Sequence, residues 1–230
     1  MPDIAYVNGR FMPLEDAYVS VEDRGFQFGD SIYEVIRGAK GKLFRAKEHL
    51  LRLKRSAEEI KLPLPFSISQ MERLISEAYR RSGYEDANIY IQLTRGAAPR
   101  EHTFPKEIHP TFVITVRKIK EFPASLRRIG VPVITKEDIR WKRCDIKTTD
   151  LLPNILAKQE AVEKGAFEAI FVRDGIVTEG SATTVFMIKN GVLKTHPKSP
   201  YILPGITREE ILRIATLEGC LLYTSPSPRD

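Results

Sequence analysis

Apolar residues alternate with polar ones in some stretches of the chain and recur every three or four positions in others, and the switches between the two periods mark the elements. Apolar runs flank Asn8-Gly9 in "IAYVNGRFMP", which predicts a tight hairpin, and "SIYEVIRGAKGKLF" repeats the pattern around a glycine-containing turn. Helical spacing follows from about Lys47 to Ile60, then through "SQMERLISEAYRRSG", where Ser69 and Glu72 predict a capping box and Gly83 a stop. "ANIYIQLTRG" and "TFVITVRKI" are rich in β-formers. A linker is expected near Lys118 to Pro123, which separates an N-terminal domain, 1–120, from a C-terminal domain, 121–219.

The second half opens on the strand pattern "IGVPVIT". A helix with Pro153 in its first turn and Gly165 as terminator comes next, then hairpins at Asp174-Gly175 and Asn190-Gly191, then a helix from Thr207 that stops near Gly219. On that last helix Ile211, Leu212, Ile214, Ala215 and Leu217 fall mostly on one face. Hairpins mixed with helices predict a mixed α/β (α+β) fold. A doubly wound parallel sheet is not expected, because repeated strand-helix-strand units are not evident.

Composition narrows the class. The 230 residues are 42% hydrophobic and 29% charged, which suits a globular protein and excludes disordered and fibrous chains. No secretory leader or membrane-length apolar run is evident, so a cytoplasmic protein is expected, without membrane or nucleic-acid partners. The net charge of +6 changes little, since the basic residues share helices with glutamates. Cys144 and Cys220, with no CxxC or HExxH, point away from disulfides and metal. The usual nucleotide-binding glycine motifs are missing too.

Three features carry candidate chemistry. Lys147 in "RWKRCDIKTTDLLPN" stands at the end of an expected strand, before an expected capped helix; by itself it could equally be a solvated gatekeeper. Glu179 and Gly180 end a strand facing a run of hydroxyl residues. Gly205, Ile206 and Thr207 open a helix whose first N–H groups suit a phosphate, although Thr207 could also cap that helix with Glu210. An amine that can form an imine, a carboxylate for a ring nitrogen and a phosphate cradle are the three handles of pyridoxal 5′-phosphate.

From Val7 to about Glu218 the chain resembles the class IV, or fold-type IV, aminotransferases, most of all those acting on D-amino acids. The resemblance is carried by "EDRGFQFGDSIYEV", "EHLLRLKRSAEEI", "IYIQLTRGAAPREHTFP", "EDIRWKRCDIKTTDLL", "LAKQEAVEKGAFEAI", "VTEGSATTVF" and "ILPGITR". It implies two domains with pyridoxal phosphate held between them, a homodimer, and ping-pong transfer of an amino group from D-alanine to 2-oxoglutarate. It further implies that Lys147 holds the cofactor covalently and moves the substrate proton, and that Glu179 partners the pyridine nitrogen. Arg52, Ile206 and Thr207 would hold the phosphate, and Leu203 would pack on the ring. Tyr33, Arg100 and His102 match the trap for the substrate carboxylate; if extended, the segment would point Arg100 and His102 the same way. Branched-chain L-amino acid aminotransferases and aminodeoxychorismate lyases share Lys147 and Glu179, and a non-enzymatic cofactor-binding protein is a further alternative.

The ending "CLLYTSPSPRD" resembles the translation of a sequencing adapter, so residues 220–230 are expected to be foreign to the fold. The resemblance implies further strands and a Ser/Thr-rich phosphate-binding turn after the last helix, and none of these is expected here. An inactive fragment, with weakened cofactor binding, is therefore another expectation.

Overall fold

In the computed structural model, which describes residues 3–119 and 123–224, turn dipeptides set the frame of the first unit. Strands β1 (Ile4–Val7) and β2 (Arg10–Pro13) pair across Asn8-Gly9, whose φ values of 43° and 104° are the positive angles a two-residue hairpin needs. After the short helix α1 (Arg24–Phe28), β3 (Ser31–Ala39) and β4 (Lys42–Leu43) pair across Lys40-Gly41. With β5 (Asp86–Thr94) and β6 (Thr111–Lys118) they form one sheet in the order β2-β1-β6-β5-β3-β4, in which every pairing is antiparallel.

Helices α2 (Ala46–Glu59) and α3 (Ile68–Ser82) supply the other layer. Leu50 and Leu53 of α2 and Met71 and Ile75 of α3 are fully buried with Ile36, Ile89, Ile91 and Ile114 of the sheet. The capping box is at Ser67 and Gln70, not at Ser69 and Glu72. Ser67 Oγ accepts from the Gln70 N–H at 3.3 Å, and Gln70 Oε1 accepts from the Ser67 N–H at 2.8 Å. The helix begins one residue ahead of Ser69, so that serine lies inside its first turn.

Residues Met1–Glu121 form the first unit together with Ile146–Asp150, while Phe122–Asp145 and Leu151–Asp230 form the second. The segment that carries Lys147 thus groups with residues that precede the expected linker, although it follows that linker in sequence; residues 120–122 of the linker lie outside the described residues. The second unit opens with α4 (Ala124–Ile129), an element not expected from the sequence. A three-stranded sheet combines β7 (Val133–Glu137), β8 (Glu168–Arg173) and β9 (Ile176–Gly180), with α5 (Leu152–Glu163) between β7 and β8 in sequence. Another joins β10 (Phe186–Lys189), β11 (Val192–Thr195) and β12 (Leu221–Tyr223), with α6 (Ile206–Leu217) preceding β12.

The pairs β7–β8 and β11–β12 are parallel, so strand-helix-strand units do occur. Each partner lies far along the chain, and no local turn signal announces such a crossover. A strand also follows α6 where none is expected; residues 225–230 of the expected tail lie outside the described residues. Among the described residues of this unit, one small buried cluster forms from Ala157, Ala161, Ala166, Ala169 and Phe171, with Ile134 against it, and Ile202 and Ala215 are buried elsewhere. Among the described residues no helix is long and apolar enough to cross a membrane.

Candidate active site

Strand β3 turns Ile32, Glu34 and Ile36 inward and leaves Val35 and Arg37 exposed, the alternation of a half-buried strand. Because β4 pairs only with Gly38 and Ala39, the edge at Ser31–Tyr33 takes another partner, the segment Ile146–Asp150. Tyr33 N–H donates to Lys147 C=O at 3.0 Å, Thr149 N–H to Ser31 C=O at 3.2 Å, and Ile32 and Thr148 form an isolated bridge. Ser31 and Thr149 share a hydroxyl–hydroxyl bond, and Ile146 is buried in the core. Lys147 is thus strapped along a sheet edge; it does not end a strand. Helix α5 begins without a side-chain cap, contrary to expectation. The Lys147 Nζ lies 4.1 Å from the centroid of the Tyr33 ring, which stacks on Tyr90.

Arg52 is buried on α2 and engages Glu34 through two donors, Nε to Oε1 at 2.6 Å and Nη2 to Oε2 at 2.8 Å. His49, one turn earlier, shares Oε2 through Nδ1 at 2.7 Å. Burial pushes the Glu34 carboxyl up, but the bonds from Arg52 and His49 outweigh it and hold the group below the usual carboxylate range. Neither Glu34 nor His49 belongs to the candidates read from the sequence. An acid in the inward phase of an apolar strand is the signal that points to Glu34.

Arg100 and His102 are exposed, in an irregular segment with a bend at each. They nevertheless meet on one ring: the Arg100 guanidinium lies 4.8 Å from the Phe28 centroid, and the His102 and Phe28 rings are 5.6 Å apart. The structure therefore brings Tyr33 to Lys147 and brings Arg100 to His102.

In the second unit Glu179 sits at the end of β9, 8% exposed. Arg140 Nη1 donates to its Oε1 at 2.5 Å, and the Leu203 N–H donates to Oε2 at 3.1 Å. Arg140 in turn grips Asp138 through Nε and Nη2, both at 2.8 Å, and lies 4.4 Å from the Phe171 ring centroid. Burial drives Glu179 above the usual carboxylate range, since Arg140 and the Leu203 N–H offset it only in part. Asp138 is driven the other way, to about 2: burial raises it, but bonds from Arg140 and Arg173 prevail. Arg140 and Asp138 were not anticipated, because they fall in a stretch with no periodic pattern.

Helix α6 starts at Ile206 after Gly205, and no side chain caps it. The expected capping box of Thr207 and Glu210 is absent: Thr207 is already inside the helix, and Glu210 pairs with Arg213 at 2.6 Å. That leaves the first-turn N–H groups for another acceptor. A Cβ on Gly205 would come within 3.1 Å of Thr184 Oγ1 and 3.3 Å of Arg208 Cβ, so glycine keeps the approach to that helix end open.

The first unit thus presents an amine on a sheet edge, and the second holds a buried carboxylate that favours its proton and an uncapped helix start. Residues 31–223 match the family described as "Amino-transferase class IV". The chain belongs to the class IV aminotransferases. It is 49% identical over 210 residues to D-alanine aminotransferase of Staphylococcus epidermidis, covering 91% of this chain and 74% of that protein. The Bacillus licheniformis D-alanine aminotransferase is 43% identical over 212 residues, covering 92% and 75%. Among solved structures, Escherichia coli branched-chain amino acid aminotransferase superposes with a TM-score of 0.90 at 25% identity, over 98% of this chain and 78% of that one. The "T.th." branched-chain amino acid aminotransferase, solved with pyridoxamine 5′-phosphate, gives 0.89 at 28%, over 98% and 77%. As a class IV aminotransferase the chain uses pyridoxal phosphate as cofactor.

Proposed function

We propose that this class IV aminotransferase moves the amino group of a D-amino acid, D-alanine being the type substrate, to a 2-oxo acid such as 2-oxoglutarate. The observation that carries the chemistry is Lys147, fixed by backbone bonds along β3 with its Nζ over Tyr33. The choice of D-amino acids rests on the D-alanine aminotransferase relatives and on the Arg100/His102 pair.

In this reading Lys147 is the catalytic residue: its Nζ anchors the cofactor, then takes the proton from the substrate Cα. When bound, the cofactor supplies the electron sink for the pair left on Cα. Glu179 accepts from the protonated ring nitrogen and so keeps it charged. Leu203 packs on the ring. Arg52, positioned by Glu34 and His49, and the N–H groups of Ile206 and Thr207 hold the phosphate. Tyr33, Arg100 and His102 receive the substrate carboxylate. The enzyme works in the cytoplasm as a homodimer; Ile155 and Leu156, each 59% exposed on α5, are apolar surface of the kind a second copy would cover.

The test is the amino-donor half-reaction. The cofactor-loaded chain is mixed with D-alanine or with L-leucine, without 2-oxo acid, and the released oxo acid is measured. Pyruvate from D-alanine at the faster rate is expected, and preference for L-leucine would sink the assignment.

A further inference from the structure

Two buried arginines that the proposed chemistry does not use converge on one carboxylate. Asp30 accepts from Arg24 Nε and Arg95 Nε on Oδ2, both at 2.8 Å, and from Arg95 Nη2 on Oδ1 at 3.0 Å. Two cations face one anion, and each also donates to main-chain carbonyls. Arg95, fully buried, donates to Ile60 C=O at 2.8 Å and Lys61 C=O at 2.9 Å, the carbonyls at the end of α2 where a cation is favoured. Arg24 reaches the opposite way, to Glu101 C=O at 2.6 Å and Thr103 C=O at 3.3 Å. Those two carbonyls bracket His102.

The same pair also meets a ring of that segment and the α1 ring on which it rests. The Arg95 guanidinium lies 3.7 Å from the Phe104 ring centroid, and Arg24 stands 4.8 Å from Phe28, the ring that Arg100 and His102 share. At its base the segment is tied by backbone: Arg24 N–H to Gly96 C=O at 2.9 Å, and Ala98 N–H to Glu22 C=O at 3.1 Å. Between Pro99 and Phe104 there is neither helix nor strand to fix an exposed stretch.

We infer that Arg24, held by the Asp30–Arg95 pair, is a positioning residue that fixes the Pro99–Phe104 segment and so sets how well Arg100 and His102 receive the substrate carboxylate. This rests on the reading of Arg100 and His102 as carboxylate ligands. Arg24 touches no substrate; it acts through the carbonyls on either side of His102 and through Phe28.

Arg24→Met removes the grip while Arg95 still pairs with Asp30, so no buried carboxylate is stranded. Expected in the cofactor-free chain is amide exchange at 100–104 faster by about tenfold, with α2 and β5 unchanged. In the loaded chain the KM for D-alanine is expected to rise by about tenfold with kcat within about twofold, as misplaced binding groups would give. Arg24→Lys, which keeps the charge and one donating nitrogen, should recover part of both effects. Phe28→Leu strands no charge and should raise KM in the same direction, so a misfolded Arg24→Met leaves the inference testable. Unchanged exchange and KM in these variants, while Arg100→Ala raises KM, would overturn the positioning role alone. If Arg100→Ala and His102→Ala leave KM unchanged, the carboxylate reading falls and takes the positioning role with it.

Discussion

Glu34 and Glu179 are both buried glutamates paired with a buried arginine, one in each unit, yet their proton affinities move in opposite directions. Glu34 has Arg52 on both oxygens and His49 besides. Glu179 has a single guanidinium donor, and Arg140 gives its other donors to Asp138, Thr178 and the Tyr201 carbonyl. Burial costs both carboxylates; the outcome depends on whether the cation is committed to one anion or divided between two. The first unit thus fixes a negative charge, and the second leaves a carboxyl that holds a proton more readily.

The largest expected effect lies outside this contrast, at the proposed catalytic amine, and sets the scale against which the two carboxylates are read. Lys147→Ala should lower turnover by roughly 10⁴-fold or more with the melting temperature nearly unchanged, since its main-chain bonds to β3 remain. Glu34→Gln should cost about 3 kcal/mol of stability in denaturant unfolding, because it strands the Arg52 charge. Glu179→Gln should barely shift the unfolding midpoint and should still bind cofactor, but slow turnover by about 10²-fold. A stability loss equal to that of Glu34→Gln would erase the distinction between the two carboxylates.

The smallest effect is one of pH. Asp138 is held at about 2, below the ordinary 3.8, so the stability it contributes is present above pH ~4 and is lost as pH falls towards about 2. Glu179 has the opposite sign: its raised value contributes stability in acid that is lost as pH rises through that value. Melting of Asp138→Asn against pH should lose the acid-side slope below pH ~4, and an unaltered slope would show that other groups carry it.

Much of this fold is legible in the sequence wherever the signal is local. Asn8-Gly9, Asp174-Gly175 and Asn190-Gly191 each lie at the turn between paired strands. The parallel pairs are not legible, because Val192 meets Leu221 across a whole helix and no turn residue reports it. The capping box slipped by two residues because Ser67 and Ser69 offer the same chemistry in neighbouring registers. Among candidate site residues, Glu179 and the α6 start are visible as types of residue at element ends, whereas Lys147 lies along a sheet edge and not at the strand end the sequence predicts. What surrounds them is less so: Glu34 betrays itself as an acid in an inward phase, but Asp138 and Arg140 lie where there is no period to violate. The docking of Ile146–Asp150 on β3 is made largely by main-chain groups, which every sequence has.

That docking bears on how the polypeptide can be taken apart. The chain passes from the second unit into the first at Asp145/Ile146 and back out at Asp150/Leu151. A protease nick between the two units near residue 121 would therefore yield an N-terminal piece lacking Ile146, which belongs to its core, and a C-terminal piece carrying it. The severed halves should co-purify under native conditions and part only in denaturant, behaving as complementing fragments and not as separable domains.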